Sequence, residues 1–282
     1  MKLGKILIPL TGADSDQRTL RVGLNVAKTY GAHVECLFVN RNPTDALPVA
    51  GEALTGQIAT ELVNAVIEAN RRQSTRARQS FSQALAHAGV EEAAAPGAAS
   101  GVSAAFRETM GEPSERTAIA ARLADLVLFP IADFVYELEP TLMESQRPCL
   151  LIPAGCGDNI GNRVMVAWDG GPEAARALSG ALVLLGAAAE VTIVTAQNRE
   201  MDEFAMQELQ SYLKAHGLEV QAKQVPLGSA PVGEVILKTA TELGADLLVM
   251  GAYGHSRIRE LILGGATRHV IHNAQLAVMM VH

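Results

Sequence analysis

An internal repeat constrains the fold of this chain more than any other feature of its sequence. Each copy begins with a basic residue, a short apolar run and a turn that ends in glycine, and continues with a helix-like stretch and a second apolar run. The matching segments are residues 5–12 and 163–170, residues 123–130 and 244–251, and residues 149–152 and 278–281. A repeat on this scale predicts two related structural units in tandem.

Each unit has the order strand, helix, strand. In the second half the predicted strands are 163–168, 190–196, 219–226, 246–250 and 277–281, and the predicted helices are 172–187, 201–216, 230–243 and 265–275. The strands are continuous apolar runs rather than alternating ones, which is typical of a parallel sheet covered on both faces. We therefore expect an α/β fold with two tandem doubly wound parallel-sheet domains.

A linker separates the two expected domains. Residues 154–162 are rich in glycine and asparagine and have no hydrophobic period, which indicates a loop. The domains are therefore predicted to span 1–157 and 158–282. In the first domain, residues 51–89 have the pattern of a long amphipathic helix. We interpret the arginines in its middle as part of a solvated helix face rather than an anion site. Their i, i+4 spacing from glutamates of the same helix favours ion pairs along the helix surface.

Composition and charge exclude several classes of protein. The chain has 282 residues, of which 49% are hydrophobic and 19% are charged, and this excludes a disordered protein. The net charge of −7 provides no diffuse basic field for nucleic acid or for an anionic membrane. The three cysteines form no C-x-x-C pair, which favours reduced, buried thiols.

The sequence shows no membrane or export signal. No apolar run approaches the ~20 residues that span a bilayer. Only five apolar residues follow Lys5, and this is too short for the core of a signal peptide. We therefore expect a cytoplasmic protein that does not bind membranes.

The segment from Gly251 to Thr267 is the most informative for chemistry. It starts where the fourth predicted strand ends and finishes where a helix begins. Its glycines allow the backbone to approach a ligand closely. The run Gly264-Gly265-Ala266-Thr267 offers unpaired N–H groups, a hydroxyl and the positive end of a helix dipole. This combination predicts an anion cradle, most naturally for nucleotide phosphates.

Asp169 lies just after the first strand of the second unit, as Gly251 lies after the fourth. In open α/β sheets, ligands bind outside the carboxyl ends of the strands, and an acidic residue there commonly accepts hydrogen bonds from a ribose or a base. The alternative is that Asp169 only forms a turn and caps the next helix. The sequence leaves both interpretations open.

These residues resemble the universal stress protein family. The pattern Gly-x-x-Gly, nine residues, Gly and a small residue, after the strand Ala-Asp-Leu-Leu-Val-Met, is similar to the family's nucleotide-binding signature. The segment Val-x-Val-Ala-x-Asp-Gly is similar to its first strand and turn. The resemblance covers nearly all of 160–282 and, more weakly, 1–153. It implies an adenine-nucleotide alpha hydrolase-like fold with strand order 3-2-1-4-5, and ATP, alone or with Mg²⁺, or a related adenine nucleotide in the second unit.

By matching positions, the resemblance also assigns roles to residues. Asp169 would contact the nucleoside, and Ala196 would line the adenine site. The ribose and phosphates would be wrapped by Gly251, Gly254, Gly264, Gly265, Ala266 and Thr267. Gly265 departs from the pattern, because the family usually has Ser or Thr there, and one hydroxyl donor to phosphate is thereby lost.

The first unit departs further from the pattern. Thr11 stands at the acidic position, and Pro130-Ile131-Ala132-Asp133 replaces Gly-x-x-Gly. The phosphate loop is shorter, and Asp133 would place a carboxylate where phosphate should lie. We therefore expect the first unit not to bind ATP.

The site is compatible with more than one function. As the resemblance implies, ATP occupancy of the second unit would set the conformation or oligomeric state of a regulator in the stress response. An enzyme, at most a slow ATPase, is less favoured, because no lysine or metal-holding carboxylate pair accompanies the segment from Gly251 to Thr267. A scaffold that has lost nucleotide binding is the third alternative.

Other candidate residues have simpler interpretations. His269 and His272 lie three apart on the last helix, but no third ligand for a metal is visible. Arg257 and Arg259 flank the phosphate loop and could reach a γ-phosphate or a partner. Trp168 is favoured as a packing residue over a base-stacking platform, because strand alternation would turn it away from Asp169.

The final strands of the two units predict how the units assemble. Residues 149–152 and 278–281 are short and apolar, and at the edge of a sheet they would expose unpaired backbone groups. Pairing with each other would remove both edges. We therefore predict an intramolecular pseudo-dimer, with a homodimer as the other possible assembly.

Overall fold

The computed structural model describes residues 2–46, 56–95, 101–131, 135–196, 202–254 and 265–282. The chain divides into two units. The N-terminal unit comprises Gly4–Phe129 and Asp133–Ser145, and the C-terminal unit comprises Met1–Leu3, Pro130–Ala132 and Gln146–His282. The assignment of domains to 1–157 and 158–282 remains a prediction.

The N-terminal unit alternates strands with helices. Its strands are β1 (Lys5–Leu10), β2 (His33–Asn40), β3 (Glu91–Glu92), β4 (Ser103–Met110) and β5 (Leu126–Pro130). Its helices are α1 (Ser15–Tyr30), α2 (Gly56–Ala88), α3 (Pro113–Ala121) and α4 (Val135–Ser145), with a short 3₁₀ helix at Pro43–Ala46. The strands follow the order β3-β4-β2-β1-β5 and pair in parallel.

The C-terminal unit repeats this plan. Its strands are β6 (Cys149–Ile152), β7 (Arg163–Ala167), β8 (Glu190–Ala196), β9 (Gln221–Val225), β10 (Leu247–Gly251) and β11 (Ala277–Val281). Its helices are α5 (Pro172–Leu185), α6 (Glu203–Ala215), α7 (Val232–Glu242) and α8 (Gly265–Asn273). The order is β6-β11-β10-β7-β8-β9, and the pairs are parallel except for β6 with β11.

The predicted α/β fold with a doubly wound parallel sheet is confirmed. In the C-terminal unit the series β9-β8-β7-β10-β11 is the predicted order 3-2-1-4-5. In the N-terminal unit β4-β2-β1-β5 is the matching series, with the two-residue strand β3 added at its edge. The central strands are apolar and fully covered, as parallel sheets require.

The predicted pairing of the two short final strands is also present. β6 runs antiparallel to β11, with Leu151 opposite Val278 and Leu150 opposite Met279. All residues of both strands are buried. The pairing gives each strand a hydrogen-bonded neighbour and removes an exposed edge. The wider pseudo-dimer and a homodimer remain predictions.

The repeated Ala-Asp-Leu segments have a structural role at the amino ends of the strands. Asp125 accepts hydrogen bonds from the backbone N–H groups of Gly4 and Lys5, at 2.7 and 2.9 Å. Asp246 accepts from Gly161 at 2.6 Å and from Arg163 at 3.1 Å. Asp125 thus fixes the start of β1 and Asp246 the start of β7, at the edge of the sheet opposite to the glycine turns.

Two further expectations concern the whole sequence. All three cysteines are buried thiols outside any disulfide, as predicted, and burial raises the pKa of the Cys36 and Cys149 thiols. Within the described ranges, no helix combines the length and apolarity needed to cross a membrane.

Candidate functional site

The candidate site lies at the carboxyl edge of the sheet of the C-terminal unit. β7 ends at Ala167, β8 at Ala196 and β10 at Gly251. Because β7 is parallel to both of the others, the three carboxyl ends lie at one edge. This is the position where open α/β sheets bind their ligands.

A cavity of about 630 Å³ opens at this edge, which is within the usual size of a small-molecule site. It brings together most of the residues singled out from the sequence, namely Asp169, Ala196, Gly251, Gly254, Gly265, Ala266 and Thr267. Gly264, Arg257 and Arg259 lie outside the described residues. The nucleotide contacts of all these residues remain predictions.

The turn between β7 and α5 fixes Asp169 on the wall of the cavity. Gly170 has a φ of 78°, a left-handed conformation that favours glycine. The Asp169 carboxylate accepts a hydrogen bond of 2.8 Å from the N–H of Gly171. Asp169 therefore does stabilise a turn, but Gly171, not Asp169, is the N-cap of α5. The side chain is exposed at the cavity, so the turn role does not remove it from the site.

Gly251 is required for packing. A Cβ atom at Gly251 would lie 2.7 Å from the backbone nitrogen of Ala174 and 2.7 Å from the carbonyl carbon of Glu173. Backbone atoms cannot yield cheaply, so only glycine lets the end of β10 lie against the first turn of α5. This close approach holds the helix against the strand end that carries the cavity.

Gly254 and Gly265 have different surroundings. A Cβ at Gly254 would meet the Glu173 Oε2 atom at 2.7 Å, which is the movable end of a side chain. A Cβ at Gly265 would find no atom of the described residues within 4 Å. Gly265 begins α8 and lines the cavity, so the backbone at the positive end of this helix lies against open space. Thr267, in the same turn, is buried.

Glu173 is a site residue that the sequence did not single out. It lines the cavity, and its side chain is only 15% exposed. Its carboxylate accepts a hydrogen bond of 2.8 Å from Arg176, three residues further along α5. The described wall therefore carries two carboxylates, Asp169 and Glu173, and one imidazole, His269, but no lysine or arginine.

Tyr253, in the middle of the glycine turn, has an unusual backbone. Its φ of 64° is left-handed, which is rare for a bulky residue and costs on the order of 1–3 kcal/mol. The turn is tied to the end of β11, because Ala252 N–H donates to the carbonyl of Val281 at 2.9 Å. The ring of Tyr253 meets that of His282 edge-on at 6.1 Å. Strain of this kind is common at ligand sites.

Trp168 also lines the cavity. The strand alternation expected for it does not apply, because β7 ends at Ala167 and the chain has already left the strand. The backbone N–H of Trp168 still donates to the carbonyl of Val194, at 2.8 Å, and this places the residue beside β8.

The other candidates form no metal site. His272 Nδ1 lies 2.8 Å from the carbonyl oxygen of Arg268 in its own helix. His269 lines the cavity instead. Among the residues that the structure describes, no group of three or more metal-ligating side chains comes together.

The cavity described in the corresponding region of the N-terminal unit is smaller. It measures only about 100 Å³. Gly12 has the same φ of 78° as Gly170, but a Cβ there would overlap the backbone of Gln73 in α2. The buried Asp16 carboxylate accepts hydrogen bonds from the N–H groups of Thr11 and Gly12, at 3.3 and 2.8 Å. Asp133 lies outside the described residues.

Comparisons with known proteins agree with this architecture. The sequence model described as "Universal stress protein family" matches residues 161–282. Universal stress protein Slr1230 of Synechocystis is 26% identical over 146 residues, which are 50% of this chain and 49% of that protein. The chain thus spans about half the length of this curated relative.

The fold of the whole chain is shared with a solved structure. A universal stress protein from Archaeoglobus fulgidus has a TM-score of 0.69 with 18% identity, and the match covers 100% of this chain and 99% of that one. A universal stress protein solved in complex with cAMP has a TM-score of 0.35 with 23% identity, and it covers 43% of this chain and 97% of that one. The sequence match to the universal stress protein family thus covers residues 161–282, and the fold of the whole chain is shared with a solved universal stress protein.

Proposed function

We propose that the C-terminal unit binds an adenine nucleotide, ATP, in the cavity between Asp169 and Gly265, and that occupancy regulates the protein in the stress response. The N-terminal unit does not bind nucleotide in this proposal. A cytoplasmic location, expected from the sequence, forms part of the same proposal.

The observation that carries the proposal is the open start of α8 at Gly265. The first N–H groups of a helix have no partner within it, and together with the helix dipole they favour an anion. No atom of the described residues lies within 4 Å of a Cβ at Gly265, and this supports a phosphate against this backbone. The carboxylates of the wall would repel an anion, so the phosphates are expected at the α8 end.

The other end of the cavity suits a nucleoside. Ala196 and Val194 supply an apolar wall at the end of β8, and Asp169 supplies a hydrogen-bond acceptor beside it. An acceptor at this position is suited to ribose hydroxyls or base N–H groups. In this proposal the nucleoside lies against the ends of the neighbouring strands β7 and β8.

A divalent cation carried by the phosphates would also find ligands. Carboxylate oxygens are preferred by Mg²⁺, and Glu173 and Asp169 are the carboxylates of the described wall. Such a cation would neutralise the repulsion between these carboxylates and a polyphosphate.

The test is to purify the full chain, identify any copurified nucleotide by mass spectrometry, and titrate the stripped protein with ATP by calorimetry. Gly254→Val should abolish binding, because its side chain blocks close approach to the backbone. Gly157→Val is a matched control, since a Cβ at Gly157 would lie 3.8 Å from the carbonyl oxygen of Asn159, an ordinary contact distance. No ATP binding by the wild type, or equal binding by Gly254→Val, would overturn the proposal.

A further inference from the structure

Trp168 is the single tryptophan of the chain, and its two ends have different surroundings. The indole Nε1 atom is buried and has no hydrogen-bond partner within the described part of the chain. The residue as a whole is only partly buried, and it lines the cavity. Because the nitrogen is covered by protein, a ligand in the cavity can meet only carbon atoms of the indole.

The neighbours of Trp168 extend this carbon surface. The residue is held beside Val194 by its backbone hydrogen bond. Val194, Ala196 and Ile236 line the same cavity. These residues therefore offer an aromatic and aliphatic wall. Such a wall favours a flat heteroaromatic group over a sugar or a phosphate, since aromatic rings stack on one another in offset or edge-on geometry.

We propose that Trp168 is the residue that selects for the base of the nucleotide, through contact between the carbon surface of its indole and the base. This inference rests on the proposed function, since it presumes that the cavity takes a nucleotide. It adds a specificity determinant that contacts the ligand without donating a hydrogen bond.

Two substitutions separate the ring from its N–H group. Trp168→Phe keeps an aromatic surface and removes the covered donor, and Trp168→Leu removes the aromatic surface. We expect Trp168→Phe to bind ATP within about threefold of the wild type, and Trp168→Leu to bind roughly tenfold or more weakly. Phe204→Leu is the matched control, because Phe204 is 68% exposed on α6 and does not line the cavity.

Because the chain has one tryptophan, its fluorescence reports on this contact directly. The stripped full-length protein is titrated with ATP, adenosine and inorganic tripolyphosphate, with calorimetry in parallel. The expected result is a saturable change in emission with ATP and with adenosine, and none with tripolyphosphate.

The outcomes separate this inference from the proposed function. ATP binding by calorimetry with unchanged emission and unchanged affinity in Trp168→Leu would overturn the role of Trp168 and leave the nucleotide site standing. An emission change with tripolyphosphate equal to that with ATP would also overturn it. No binding of any of the three probes would overturn the proposed function itself.

Discussion

The turns that follow β1 and β7 have the same backbone conformation at their glycines, but they differ in how closely other residues pack against them. Gly12 and Gly170 share a φ of 78°. At Gly12 the long helix α2 packs so closely that a Cβ would overlap Gln73. At Gly170 a Cβ would meet no atom of the described residues within 4 Å. The cavities beside them measure about 100 and about 630 Å³.

The way in which each turn satisfies its N–H groups also differs. In the N-terminal unit the buried Asp16 reaches back from α1 to Thr11 and Gly12. In the C-terminal unit Asp169 itself accepts from Gly171 and stays exposed at the cavity. Strand order and turn geometry therefore do not make a ligand site by themselves. What covers the turn determines whether the strand ends remain open.

The largest expected effect is on the packing of α2 against Gly12. Gly12→Ala combines a left-handed conformation with overlap against Gln73, and should destabilise the protein by roughly 2–5 kcal/mol. Gly170→Ala has the same backbone conformation but open space, and should cost only about 1–2 kcal/mol. Thermal unfolding of both variants, followed by circular dichroism, measures the difference. Equal losses of stability would show that α2 does not pack against this turn.

The next effect is on ligand affinity at Asp169. Asp169→Ala would leave polar groups of the ligand unpaired, at a cost of about 1–3 kcal/mol, or about 5- to 150-fold in affinity. Thr11→Ala, at the matching position of the N-terminal unit, should leave affinity unchanged. Calorimetric titration with ATP gives both values. If Asp169→Ala binds ATP as tightly as the wild type, Asp169 serves the turn alone.

A smaller effect, in the opposite direction, is expected at Gly265. Gly265→Ser adds a hydroxyl donor at the start of α8, where the structure has space for it. One added hydrogen bond contributes about 0.5–1.5 kcal/mol, so affinity for ATP should rise about 2- to 12-fold. Gly265→Ala adds the Cβ without the hydroxyl and is the control. A gain of the same size in both variants would exclude the hydroxyl as its cause.

The smallest expected effect is a pH dependence in the N-terminal cavity. Burial raises the pKa of the Glu137 carboxyl, against the charge of Arg41, which lowers it. The folded state therefore holds this proton more tightly than the unfolded chain does. The stabilisation from this proton is fully present below the pKa that the Glu137 carboxyl has in the unfolded chain. It is lost as the pH rises through the pKa of this carboxyl in the folded protein. Unfolding midpoints from pH 4 to 8 should thus fall less with rising pH in Glu137→Gln, and identical profiles would contradict this.

Much of this architecture could be predicted from the sequence. The parallel sheet was predicted from the continuous apolar runs and the repeated Ala-Asp-Leu segments. The glycine turns predicted the edge of the sheet at which the cavity lies. The pairing of β6 with β11 followed from their short, apolar sequences. These features depend on local composition and on rules that hold for all parallel sheets.

The residues that the sequence analysis missed depend on tertiary packing. Glu173 enters the cavity because the first turn of α5 lies against Gly251, and no pattern in the sequence encodes that approach. Trp168 was expected to face away because the strand was predicted one residue too long. The contact between α2 and Gly12 joins residues about sixty positions apart, so only the folded structure reveals that α2 covers this turn.

The number of ATP molecules bound per chain shows whether the turn after β7, and not the turn after β1, takes a nucleotide. Calorimetric titration of the stripped full-length protein with ATP should give one site per chain, and Gly254→Val should reduce that to none. Two sites per chain, or one site that persists in Gly254→Val, would contradict the account.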